Sequence, residues 1–289
     1  MSSVISFALG VFNYSTPLLF ASLGVLIMEV SGIVNMGAEG MMIIGCLTGV
    51  VCTNLFNSVW LGMLSAMIVA GVFGLLFGFL VLEFHLNQTV LGIAFNLIGA
   101  GLTTTLNRAF FKDPMTDVFF LKGPGGITAP TYIGLLIVVL FFIFLYKTKY
   151  GIMFRSVGES PVVIESVGIS VKKLRYIACI IGGALTGAGG AFLSTGVLNK
   201  FTENMTDGRG FIALAAVTFG KYGPFGTLGG VVVFGIGEML CFTLQAKGGD
   251  FPYEFALAFP YVLTILALCV FSRNAKDPAA LGVPYKKSH

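Results

Sequence analysis

Apolar runs of about 16–25 residues follow one another along this chain with little polar sequence between them. They lie at 11–30, 36–54, 59–82, 88–107, 131–146, 174–197, 209–221, 226–245 and 254–272. In water so much apolar surface cannot be hidden in one core of 289 residues with 56% hydrophobic and 10% charged positions, because soluble domains carry roughly a quarter charged residues. The mean hydropathy of +0.93 agrees. The solvent is therefore lipid, where every backbone polar group must be satisfied internally and only helices or a closed barrel persist. Barrel strands are shorter and alternate in polarity. The runs predict an all-α, polytopic transmembrane helix bundle in a single domain over 1–289. Eight runs are long enough to cross; 209–221 is too short to span roughly 30 Å as a helix, which predicts a half-helix continued by irregular backbone.

Basic residues orient the bundle. Lys147, Lys149, Arg155, Lys172, Lys173 and Arg175 share the loop 147–175, and Arg273, Lys276, Lys286 and Lys287 share the tail 273–289. Both are expected on the cytoplasmic side of a plasma (inner) membrane. The two expectations agree only if 209–221 crosses or nearly does. Walking back from the loop puts 83–87 inside, 108–130 outside and the N-terminus outside. The first charged residue is Glu29, so the basic start of a signal peptide is missing and the first run reads as a permanent span.

Several functions are disfavoured. A net charge of +4 spread between spans does not suggest nucleic acid. Cys46, Cys52, Cys179, Cys241 and Cys269 all sit in apolar runs without metal or redox spacing and read as small buried hydrophobes. His85 and His289 are the only histidines, and no metal-binding or Ser/His/Asp arrangement is suggested. The phosphate-binding pattern G-x-x-x-x-G-K-[ST] is absent, since Gly220-Lys221 precedes Tyr222. No catalytic residues, metal or cofactor are expected; any ATP hydrolysis belongs to a partner.

Polar residues inside spans are costly, so each is a candidate site. Glu29-Val-Ser-Gly32-Ile-Val-Asn35-Met-Gly37-Ala-Glu39-Gly40 joins the first two runs with glycines that break a helix. Asn35 and Glu39 either cap the second helix, line a pathway, or do both. Asn87 is a natural N-cap, and Gln88, Gly92 and Asn96 are four apart, giving an amide-and-glycine face suited to a helix–helix seam or a polar cavity. Thr206-Asp207-Gly208-Arg209-Gly210 opens the short run; it resembles Gly37-x-Glu39-Gly40 with the opposite predicted direction, as in an inverted repeat. Arg209 is expected to pair with Glu39 or Asp207, or to snorkel. The pathway candidates are Asn35, Glu39, Gln88 and Asn96, supported by Arg209. Small-xxx-small pairs at Gly45/Gly49, Gly74/Gly78, Gly183/Gly187 and Gly226/Gly230 read as packing seams.

In the basic loop, Ser160 is placed to cap a helix, Pro161 suits its first position, and Gly168 suits its end. A two-turn helix over 161–167 follows, with Val162, Val163, Ile164 and Val167 as an apolar surface asking for a protein groove. Gly151-Ile-Met-Phe-Arg155-Ser-Val-Gly158-Glu159-Ser160-Pro161 followed by Gly168-Ile169 resembles the coupling segment of ABC importer permeases of the branched-chain amino acid, ribose and nucleoside group. Four more stretches resemble that family in order: 29–40, 87–97, 208–216 and Pro278-Ala279-Ala280-Leu281-Gly282-Val283-Pro284-Tyr285. The 87–96 and 278–285 stretches look like the shorter permease of the nucleoside (guanosine-type) subgroup. The resemblance implies a permease moving nucleosides, purine nucleosides first, by alternating access. It implies a cytoplasmic ATPase gripping Gly158, Glu159, Ser160, Pro161, Glu165 and Gly168, a second related permease, and an extracytoplasmic substrate-binding lipoprotein. Simple sugars or branched-chain amino acids are the alternative substrates. A different class, an ion-coupled carrier, would use Glu29, Glu39 and Glu238 as ion sites but has no need of the loop helix.

Overall fold

The computed structural model describes residues 2–111, 114–118, 120, 126–246 and 276–285. Ten α-helices make up most of it: α1 (Ser2–Val30), α2 (Ala38–Phe56), α3 (Val59–Glu83), α4 (Gln88–Leu106), α5 (Ala129–Lys147), α6 (Lys149–Glu159), α7 (Pro161–Ser166), α8 (Val171–Phe192), α9 (Arg209–Phe219) and α10 (Pro224–Ala246). Seven are long and apolar enough to cross a membrane, and α9 is the short apolar helix expected at 209–221. The expected run at 254–272 lies outside the described residues, as do Arg273, Lys286 and Lys287 of the tail.

Glycine decides how the bundle packs. α8 is its axis, surrounded by α1, α2 and α3. A Cβ at Gly45 or Gly190 would strike the backbone of the facing helix, and Gly74 abuts Cys179 and Gly183. Gly24 meets Gly182 in the same way. Such closeness gives backbone-to-backbone dispersion contact, which holds helices together where water supplies no hydrophobic drive. The four sequence pairs are thus packing seams, Gly226 and Gly230 serving α10 against Gly220 and Ala216. The outer faces of α3, α4 and α5 expose Leu64, Ile68, Val72, Leu97, Leu136 and Leu140, as lipid contact requires.

The basic loop and the tail share one end of the bundle. Lys172 pairs with Glu83 at 2.9 Å, which brings 83–87 to the loop, and the Ala280 N–H donates to the Gly158 carbonyl at 2.8 Å, which brings in the tail. The opposite end holds Met115 bridged to Lys200, with Arg108 on Glu203 at 2.6 Å. Between these ends the chain passes through irregular residues 198–208 and then α9, so the short run is a half-helix completed by non-helical backbone.

The α6–α7 region departs from expectation. α7 stops at Ser166, and α6 was not foreseen because Gly151 and Gly158 interrupt its pattern. Both glycines sit against other backbone: Gly151 on the Phe144 carbonyl, Gly158 on that of Val30. Thr148 caps α6 by accepting from the Gly151 N–H at 3.1 Å, and Phe154, Val157 and Gly158 with Gly151 form its buried stripe. That cap and stripe are the signals that reveal it.

Candidate functional site

The site is built on the interruption between α1 and α2. α1 ends at Val30, Gly32 takes a φ of +89°, and α2 starts only at Ala38. A non-helical stretch in an apolar interior leaves main-chain groups without partners unless side chains supply them. α4 supplies them. Gln88 Oε1 accepts from the Val34 N–H at 2.7 Å. Asn96 Nδ2 donates to the Met36 carbonyl at 2.8 Å while its Oδ1 accepts from the Gly40 N–H at 2.8 Å. The two amides are about 12 Å apart along α4, so together they splint the interruption over its length. Asn87 caps α4, accepting from Thr89 and Val90 N–H groups at 3.0 and 3.1 Å. Asn96→Ala leaves two main-chain groups unpaired; we expect it to lower unfolding stability in detergent by about 2–3 kcal/mol. Asn96→Asp keeps the acceptor and should recover part of that. Equal midpoints for wild type and Asn96→Ala in a denaturant titration would refute the splint.

Glu39 does not cap its own helix, and neither does Asn35: the N-cap of α2 is Gly37, without a side-chain hydrogen bond. Glu39 instead reaches across to α9. Its Oε1 accepts from the Gly208 N–H at 2.8 Å and its Oε2 from the Gly210 N–H at 2.5 Å. Gly208, at a φ of +79°, has no side chain to satisfy the orphan donors at the start of α9, so a carboxylate from another helix does it. Gly210 lies so close to Glu39 main chain that a Cβ would collide with it. α2 runs away from the loop end and α9 toward it. Two helix N-termini therefore meet head to head, each worth about half a positive charge, with one carboxylate between them. The opposite directions of α2 and α9 are those that the Gly37–Gly40 and Gly208–Gly210 patterns predicted; the carboxylate joining the two ends was not foreseen.

Arg209 corrects the sequence reading. Its Nε pairs with Glu238 Oε1 of α10 at 3.1 Å, and its Nη1 donates to the Met205 and Thr206 carbonyls at 3.3 and 3.4 Å. The expected partner Glu39 is already taken up by α9 backbone. The Arg209 and Glu238 side chains keep 24% and 20% exposure at the head of α9, midway along the bundle. Hydrocarbon does not accept such a pair, so this face looks onto protein or water. Asn35 is fully buried, its Nδ2 directed to Met41 Sδ at 3.7 Å. Its Oδ1 and Gln88 Nε2 have no hydrogen-bond partner among the described residues.

Sequence reasoning missed Arg175. Counted with the loop's cations, it is wholly buried on α8, its Nε donating to the Ser31 carbonyl at 3.1 Å, with Gly32 leaving room for its Nη2. Its position one turn into α8, beside a polar interruption, was the available signal.

At the loop end, α6 and α7 enclose a groove of about 390 Å³ lined by Arg155, Ser156, Glu159, Ser160, Val163 and Ile164. Val162, Val163 and Val167 are exposed there. Pro161 occupies the first position of α7, and Gly168 ends the turn at a φ of +81°. Ser160 departs from expectation, because its side chain makes no cap. Its N–H donates to the Ser156 carbonyl at 2.8 Å and its carbonyl accepts from Ile164 N–H at 3.4 Å, joining the two helices by main chain alone. The Glu165 carbonyl accepts from the Gly168 N–H at 2.9 Å.

Comparison with known proteins decides the family. The profile described as "Branched-chain amino acid transport system / permease component" matches residues 7–268. The chain belongs to this permease family. It is 37% identical to the guanosine ABC transporter permease protein NupQ of Bacillus subtilis, covering 95% of this chain and 94% of that one. It is 31% identical to the nucleoside ABC transporter permease protein NupC of Lactococcus lactis, covering 95% of each. A putative glucose ABC transporter permease protein, TsgC13 of Haloferax volcanii, is 34% identical over 81% of this chain and 78% of its own length. No solved structure matches this permease.

Proposed function

We propose that this permease is the transmembrane subunit of an ATP-driven nucleoside importer, with purine nucleosides first. The observation that carries the reading is near full-length likeness to two permeases whose names give guanosine and nucleosides as cargo. A second reading, simple sugars, rests on the likeness to the glucose permease. The chain works by alternating access beside a second, related permease. An extracytoplasmic binding protein supplies cargo at the end away from α6 and α7, and a cytoplasmic ATPase docks on the α6–α7 groove. The placement of the loop cations and of Lys276 at one end of the bundle supports setting that end in the cytoplasm.

Coupling requires the ATPase to bind one pore conformation better than the other. Gly158, Glu159, Ser160, Pro161, Glu165 and Gly168 are the docking residues. Asn35, Glu39, Gln88, Asn96 and Arg209 mark the substrate route. Within it, Gln88, Asn96 and Glu39 shape the walls by holding backbone, and Arg209 with Glu238 offers hydrogen-bonding groups on its partly exposed face. Of the three carboxylates an ion-driven carrier would use, Glu39 and Glu238 are engaged and Glu29 is buried with its Oε2 unpartnered among the described residues; likeness to ABC transporter permeases favours the ATP-driven reading over that carrier.

The test is radiolabelled guanosine uptake in cells lacking this chain, complemented with wild type or with Glu159→Ala plus Gly168→Trp. Loss of more than about 90% of uptake with normal membrane insertion is expected, since Gly168 holds a left-handed φ that tryptophan resists. Full uptake by the double variant removes the ATPase reading. No guanosine uptake by wild type turns the substrate to sugars.

A further inference from the structure

Residues 277–282 of the tail make a dense set of directional contacts with the rest of the bundle. Asp277 Oδ1 accepts from the Tyr222 hydroxyl at 2.9 Å, at the turn between α9 and α10. Burial and the nearby Glu29 carboxylate push that hydroxyl above its ordinary range, so it stays a donor. The Ala279 N–H donates to Glu159 Oε2 at 3.4 Å. The Ala280 N–H donates to the Gly158 carbonyl at 2.8 Å. The Gly282 N–H donates to the Gly32 carbonyl at 3.1 Å, from a φ of +74° that favours glycine. Ala280 is itself buried, and its carbonyl lies where a Gly32 side chain would be.

One short segment thus joins three places: the α6–α7 junction, the α1–α2 interruption and the foot of α9. Gly158 is held on one side by Val30 and Gly32 and on the other by Ala280. Beneath the segment, Tyr146, Arg155, Lys221 and Lys276 surround a cavity of about 160 Å³. The segment is thus held beside this cavity by directional hydrogen bonds and by the buried Pro278 and Ala280.

We propose that residues 277–282 are a positioning clasp that transmits displacement of the α6–α7 loop to the α1–α2 interruption and to α9. The proposal rests on the ATPase docking at α6–α7 described above. Displacing Gly158 pulls Gly32 through Ala280 and Gly282, and pulls the foot of α9 through Asp277 and Tyr222. The head of α9 is bonded to Glu39, so both routes end where α2 and α9 meet.

Two measurements test it. The first is hydrogen exchange on the purified chain, which needs neither substrate nor ATPase. Tyr222→Phe removes one hydroxyl and should speed exchange at 279–282 and at 156–160 together, leaving α3 and α8 unchanged. Faster exchange at the tail alone, or no change, overturns the clasp. The second is the assembled transporter in liposomes, reading guanosine moved per ATP hydrolysed. Tyr222→Phe and Ala280→Pro, which lacks the N–H, should each lower that ratio about fivefold while hydrolysis continues. Ala280→Gly keeps the donor and should match wild type. An unchanged ratio in Tyr222→Phe also overturns the clasp. A wild-type transporter that ignores guanosine, with exchange still linked, overturns the substrate assignment alone.

Discussion

Glu39→Gln is expected to lower uptake more than tenfold and unfolding stability by about 3 kcal/mol. The wild-type carboxylate takes two backbone N–H groups of α9 while its charge sits between two positive helix ends. Glutamine keeps one acceptor oxygen but turns an NH₂ toward the other N–H, so a buried donor faces a donor. The charge that both helix ends favour is lost as well. Glu39→Asp keeps the charge on a shorter arm and should fall between wild type and Glu39→Gln. Denaturant titration in detergent gives the stability and cell uptake gives the activity. Wild-type values for Glu39→Gln in both would show that α9 is held by packing alone.

Arg209→Ala comes second, with an expected stability loss of about 2 kcal/mol. Removing one partner of a buried pair costs more, but both side chains here are partly exposed, so the figure is discounted. The loss has two sources: Glu238 is left as an unpaired carboxylate inside the bundle, and the Met205 and Thr206 carbonyls lose a donor. Arg209→Ala with Glu238→Ala should therefore recover more than half the stability, because the unpaired charge is gone. Uptake should stay low in both if the pair lines the substrate route. Recovery of uptake along with stability would make the pair purely structural.

The sequence made the spans legible because an apolar run in lipid declares itself without reference to any partner. Gly45, Gly74 and Gly183 were legible for the same local reason: their spacing puts them on one face. Partners were harder. Gln88 and Asn96 could be placed on a common face, but what they hold is main chain 54 to 60 residues earlier, and main chain has no residue-specific signal. Arg209 was assigned to nearby acids, yet Glu39 was already saturated by amides, leaving the guanidinium to α10. Arg175 was counted with solvated cations because sequence does not say how deep α8 begins. α6 was hidden by two glycines that are present for close approach to Phe144 and Val30, and such approach is visible only in three dimensions.

The glycine contacts around α8 set a mechanical division. Backbones interlocked along facing helices resist sliding, since one must climb over the other to shift register. Hydrogen bonds such as those from the Gly208 and Gly210 N–H groups to Glu39 exchange partners at much lower cost. The molecule therefore has a keel, α8 with α1, α2 and α3, and the irregular residues 198–208 lead from it into α9. A spin label pair within the keel should keep its distance through a transport cycle, whereas a pair spanning keel and α9 is where any cyclic change in distance belongs.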